Sequence, residues 1–160
     1  MSKQFSLDQI DELLRQLELV ESEQRVLVVG AVIENQDLPR NHDIIQIGRV
    51  GSASEISDEI RVDIAVVVDQ VECMSKTDGM HLLSKLRDLT SNRVLLLLYS
   101  DDWTSGELLA LGFQEIQQQA KRPSIDGRLY LFDPNDFHES REWNNTANWA
   151  NPENFNKFRW

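Results

Sequence analysis

A chain of 160 residues, 41% apolar and 27% charged, is long enough to bury one sizeable core and too apolar to be globally disordered. Sixteen basic against 27 acidic residues leave a net charge of -11, which opposes approach to nucleic acid or to an anionic membrane surface. The single cysteine, Cys73, excludes an internal disulfide, no apolar run reaches the length of a membrane span, and Met1 to Phe5 leads into no signal-peptide core; a reduced, cytoplasmic protein is expected.

The capping-box pattern of Ser6 and Gln9 precedes Leu7, Ile10, Leu13, Leu14 and Leu17 at helical spacing. The spacing predicts an amphipathic helix to about Val20, lying across one face of a sheet. Val26 to Val29 is a continuous apolar run, the pattern of a strand covered on both faces, and Gly30 ends it. The next residues, Ala31-Val-Ile-Glu34, are bulky where a cofactor-binding turn keeps glycines that let the backbone approach a ligand. After a polar connection containing Pro39, Asp43 to Ile47 reads as a second strand, and Ser52 to Ile60 allows a couple of helical turns at most. Asp63 to Val68 is the strongest strand signal, and its place after a short helix predicts parallel pairing.

Met80, Leu82, Leu83, Leu86 and Leu89 then recur at helical spacing, and Arg93 to Tyr99 follows as another buried strand. Thr104 and Glu107 form a second capping box, Leu108, Leu109 and Leu111 supply that helix's apolar side, and Gly112 stops it. Phe113 to Ile116 reads as a strand; the Asp126-Gly127 turn leads into Arg128 to Phe132, so the last two strands are expected to pair antiparallel. The fold class is α/β: a Rossmann-like three-layer sandwich, mostly parallel with an antiparallel C-terminal strand, plus an N-terminal helix and an irregular aromatic tail. Residues 1–133 are expected to form the domain and 134–160 the tail.

This order of elements, from Val26 to Phe132, resembles the class I S-adenosylmethionine-dependent methyltransferase fold. Asp63 to Met74 is similar to that family's fourth strand and the turn after it, and Trp103 to Ile116 to its penultimate helix and the strand that follows. The whole chain, including Trp149-Ala-Asn-Pro-Glu153, also resembles a small proteobacterial family of uncharacterised proteins with this core. The methyltransferase resemblance implies a glycine-rich loop after the first strand and an acidic residue ending the second, to hold the cofactor ribose. Here the loop is Gly30-Ala-Val-Ile and the second strand ends Gln46-Ile-Gly-Arg49, so both cofactor signatures are missing. Only 15 residues separate Ile47 from Asp63, too few for the additional strand and helix the resemblance implies, and one sheet edge is expected to be trimmed.

The carboxyl ends of the parallel strands, where such sheets bind ligands, gather Gly30, Ala31, Glu34, Asp69, Gln70, Glu72, Tyr99, Ser100 and Asp101 as cleft candidates. Carboxylates so grouped can shift one another's pKa and serve as acid or base; Asp69 and Asp101 can equally serve as turn caps. Cys73 lies near this cleft with no adjacent basic group evident to activate it. His42, His81 and His138 show no metal-ligand spacing, so no metal is expected, and Ser100 and Ser105 lack the glycines of a nucleophile elbow.

The tail carries Phe137, Trp143, Trp149, Phe155, Phe158 and Trp160 among many asparagines. Rings of this size suit docking, either onto the domain itself or onto a second copy or another protein; Arg141, Lys157 and Arg159 are too few to make a basic groove for nucleic acid. The leading expectation is a non-catalytic binding or interaction module without a cofactor. The alternative is an atypical S-adenosylmethionine-dependent methyltransferase or another small-molecule cleft enzyme.

Overall fold

The structure, a computed structural model, describes residues 5–21, 23–30, 32–33, 43–116 and 125–137. Strand β1 (Phe5–Ser6) leads directly into helix α1 (Leu7–Gln16). The Ser6 hydroxyl accepts the N–H of Gln9 at 3.3 Å, and Gln9 Oε1 accepts the N–H of Ser6 at 2.9 Å, so the first turn is capped in both directions. The helix stops short of the expected Val20. Glu18 adopts a φ of +53°, and the N–H groups of Glu18 and Leu19 turn back onto the carbonyls of Arg15 and Leu14 at 3.1 and 3.0 Å. Glycine usually signals that ending, and here a glutamate adopts it.

Next come β2 (Arg25–Gly30), β3 (Val32–Ile33), β4 (Asp43–Ile47) and β5 (Val62–Val68). They are followed by α2 (Lys76–Lys85), β6 (Ser91–Leu98), α3 (Ser105–Ala110), β7 (Gln114–Glu115) and β8 (Arg128–Phe132). The main sheet has the order β4-β2-β5-β6-β8-β7. Its first four strands are mutually parallel, and β8 is inserted antiparallel between β6 and β7. This is the expected Rossmann-like α/β arrangement, with β4 as the edge strand on the side expected to be trimmed. A separate parallel pair, β1 with β3, has no counterpart in the sequence reading. Among the described residues no helix is long and apolar enough to cross a membrane.

Strand alternation explains the unbroken apolar runs. Leu27 and Val29 of β2 join Val67 and Leu96 in one core with α2 and α3 residues, whereas Val26 and Val28 join Ile64, Val66 and Leu95 in a second core beneath Leu7, Ile10, Leu13 and Leu14 of α1. Helices therefore cover both faces, which is why Val26 to Val29, Ile64 to Val68 and Val94 to Leu98 are apolar at every position. Three residues assigned to helix apolar faces lie outside both cores: Met80, Leu89 and Leu109 are 41%, 53% and 61% exposed. Helix α3 has only six residues and buries Leu108 alone, which leaves its neighbour Leu109 turned to solvent. On α2 the buried positions are Gly79, Leu82 and Leu83. The buried Trp103 ring lies against Gly79, where an added Cβ would come within 2.7 Å of it.

Candidate functional site

In the main sheet β4 lies on one side of β2 and β5 on the other, so the order of strands reverses at β2. Open α/β sheets bind ligands beyond the carboxyl ends at such a point. Gly30 ends β2 level with Val68 of β5, with a φ of +120°. An added Cβ there would stand 1.9 Å from the Val68 carbonyl oxygen. The glycine is thus required by the close passage of β5.

Beyond this level the chain crosses from β4 to β5. Strands separated by one intervening strand lie about 10 Å apart, a gap that requires long side chains. Buried Gln70 donates through Nε2 to the Val50 carbonyl at 2.6 Å and accepts the Val50 N–H through Oε1 at 3.1 Å. Arg49 reaches the same way, pairing with Asp69 Oδ2 at 2.5 Å and contacting Cys73 Sγ. Partial burial works against its charge, but the bonds to Cys73 and Asp69 outweigh that and raise the Arg49 pKa. Asp69 itself turns the chain with a φ of +46°. The residues following β4 and β5 are therefore tied together across the end of β2.

Glu72 is the second knot. Its Oε1 accepts the Tyr99 N–H at 2.6 Å and also the Ser100 N–H, fixing the chain after β6. The far side of that loop is held by Arg128, whose Nη2 donates to the carbonyls of Ser100 and Trp103 at 2.7 and 2.9 Å. Desolvation raises the Glu72 pKa, a hydrogen bond and charge from Asp69 raise it further, and the two backbone donors oppose them. Burial, with Asp69, Glu72 and Asp126 nearby, likewise raises the Tyr99 pKa.

Because the Glu72 pKa is raised on folding, this group favours the native state at low pH, and that contribution is lost as pH rises above the ordinary carboxylate range. Glu72→Gln keeps an acceptor for both N–H groups and removes the charge. Thermal unfolding of the variant is expected to match the wild type near pH 4 and to occur at a higher temperature at pH 7.

Gly30, Asp69, Gln70, Glu72 and Tyr99 gather at the carboxyl end of the sheet. Asp101 does not join them: its side chain is fully exposed and lies 3.7 Å from Arg128. Ala31, Glu34, Trp143, Trp149, Phe155, Phe158 and Trp160, as well as His42 and His138, lie outside the described residues. Cys73 does have a basic neighbour, contrary to the sequence reading, because Arg49 arrives from 24 residues away. Arg49, Trp103 and Arg128 were missed as site residues. The one available signal was the arginine standing just after the second strand, where the resemblance implies an acid. Among the described residues no cluster of three or more His, Cys, Asp or Glu could hold a metal ion.

The sequence profile of a family described as "Family of unknown function (DUF6231)" matches residues 5–160. No curated protein matches. Among solved structures, magnesium protoporphyrin IX methyltransferase from Synechocystis PCC 6803 with bound SAM is similar at 10% identity, covering 78% of this chain and 76% of that one, with a TM-score of 0.48. The 1,6-didemethyltoxoflavin-N1-methyltransferase of Burkholderia thailandensis, bound to 1,6-didemethyltoxoflavin and S-adenosylhomocysteine, is similar at 14% identity over 74% and 72% of the two chains, with a TM-score of 0.44. At these identities and scores the two structures assign no activity to this chain.

Proposed function

The chain belongs to DUF6231, a family of unknown function, and on that footing we propose that it is a non-catalytic binding or interaction module on a methyltransferase-like sheet, its ligand crevice closed by its own side chains. The observation that carries this reading is the tie across β2: Gln70 to both backbone groups of Val50, and Arg49 to Asp69 and Cys73. An adenosyl group at the end of β2 would compete with those contacts, and Arg49 stands where a ribose-binding carboxylate would be needed. The residues present therefore fit that cofactor poorly. Calorimetric titration of the full chain with S-adenosylmethionine is expected to give no saturable heat. Micromolar binding with contacts at Gly30 or Asp69 overturns the reading.

Partners then engage through the tail, where Trp143, Trp149, Phe155, Phe158 and Trp160 supply the large rings that dominate protein interfaces. The partner is a second copy or another protein.

One observation favours the enzyme alternative. Glu72 shares a hydrogen bond with Asp69 and has a raised pKa, the condition under which a carboxyl can act as a general acid. Its bonds to the Tyr99 and Ser100 N–H groups weigh against that use, because they occupy Oε1 with holding the loop.

A further inference from the structure

Helix α1 is tethered to β2 at both ends. At its start β1 pairs with β3, which follows β2 after one residue, and past its end the chain turns within eight residues into Arg25, the first residue of β2. A helix of ten residues is about 15 Å long, close to the length of β2, and about 10 Å across. It therefore lies along β2, whereas β8 is three strands away, at about 14 Å, and β7 lies beyond β8. Among the described residues α1 is the one helix on this side of the sheet; α2 and α3 pack on the other.

The part of this face beyond α1 is apolar as well. Leu129 and Leu131 of β8 point to the α1 side, with Ile116 beside them just after β7. Leu129 is 2% exposed, and Leu97, opposite it on β6, 1%. Burial so complete needs a covering layer, and a helix lying along β2 does not reach that far. The layer must then come from outside the described residues, where large apolar side chains are concentrated in one segment. Residues 1–4, 34–42 and 117–124 contribute Met1 and Leu38, whereas 138–160 contribute Trp143, Trp149, Phe155, Phe158 and Trp160. Three basic and three acidic residues cancel in 138–160, so the negative charge of the domain does not repel this segment.

We propose that the α1-side face of β8 and β7 is the docking site for the chain's own C-terminal segment, with Trp143 and Trp149 seated over Ile116, Leu129 and Leu131. Strand β8 runs against its parallel neighbours, so the chain leaves Phe132 at their amino ends and continues through the turn Pro134–Phe137. Trp143 comes six residues later, and six more bring Trp149. Six extended residues span about 20 Å, slightly more than the five residues of β8, so the two rings reach opposite ends of the strip. Seated there, they remove from water the apolar surface that would otherwise form a sticky patch. A partner that engages the same rings competes with this seat, and the seat stands whether or not such a partner exists.

The test is NMR of the full chain with isotope-labelled Ile and Leu methyl groups. Nuclear Overhauser contacts are expected from the indole protons of Trp143 and Trp149 to the methyls of Ile116, Leu129 and Leu131, unchanged on dilution. Leu131→Lys, which sets a charge in the strip, is expected to abolish them while the Ile64 and Leu96 methyls of the two cores keep their shifts. Removing both rings, with Trp143→Ala and Trp149→Ala together, is expected to speed hydrogen exchange of the Ile116 amide, which bonds to the Leu129 carbonyl at 2.8 Å, by about tenfold or more. Contacts found only between differently labelled copies place the segment on a second molecule and overturn the proposal. Absence of any contact between the two indoles and these three residues in the wild type overturns it outright.

Discussion

Replacing Gly30 by alanine is expected to destabilise the protein by about 3 kcal/mol or more, the sum of a disfavoured backbone conformation and an overpacked core. The added Cβ would stand 1.9 Å from the Val68 carbonyl oxygen, and that atom belongs to the backbone of a central strand. Neither β2 nor β5 can retreat, because β4 and β6 hold their outer sides. Gly48, just past the end of β4, is the control: a Cβ there meets nothing within 4 Å, so Gly48→Ala should change stability by less than about 0.5 kcal/mol. Urea unfolding of the two variants against the wild type measures both. A small effect at Gly30 would mean that the end of β2 has room which the tie across it denies.

Gln70→Met is expected to cost about 2–4 kcal/mol, because it preserves side-chain bulk while leaving both the N–H and the carbonyl of Val50 without their partner. Gln70 is 1% exposed and Val50 6%, so bulk water cannot replace the lost bonds without the loop moving. The same substitution tests the functional reading, since it cuts the inner of the two ties across β2. Loss of stability in equilibrium unfolding, with an unchanged denaturant slope, is the expected result. A stability equal to that of the wild type would show that the Gln70 contact is not what closes this end of the sheet.

Most of the scaffold could be read from the chain because its signals are local. The Ser6 and Gln9 pair marked the start of α1, Gly112 marked the end of α3, and the apolar runs of β2, β5 and β6 marked strands buried on both faces. Gly112 takes a φ of +90°, with its own N–H and that of Phe113 bonded back to Leu109 and Leu108, each at 2.9 Å. Where the same ending was built on Glu18, no residue type announced it, and α1 was read too long. The candidate site was less legible for a different reason. Its decisive contacts join residues 20 to 28 positions apart: Arg49 with Asp69 and Cys73, Val50 with Gln70, Glu72 with Tyr99 and Ser100. Sequence alone placed most of these residues at one rim but could not say that they bind one another. It placed Gly30 at the end of a strand and among the cleft candidates, and could not show that the carbonyl of Val68 gives that glycine a packing role.

Protection of the Val50 amide from hydrogen exchange tests the closed crevice most directly, because that N–H bonds to Gln70 Oε1 at 3.1 Å only while the residues after β4 and β5 stay joined. The account predicts slow exchange in the free protein, unchanged by added S-adenosylhomocysteine and lost in Gln70→Met. Rapid exchange in the free protein that becomes slow when S-adenosylhomocysteine is added would contradict it, for the crevice would then be open and awaiting that ligand.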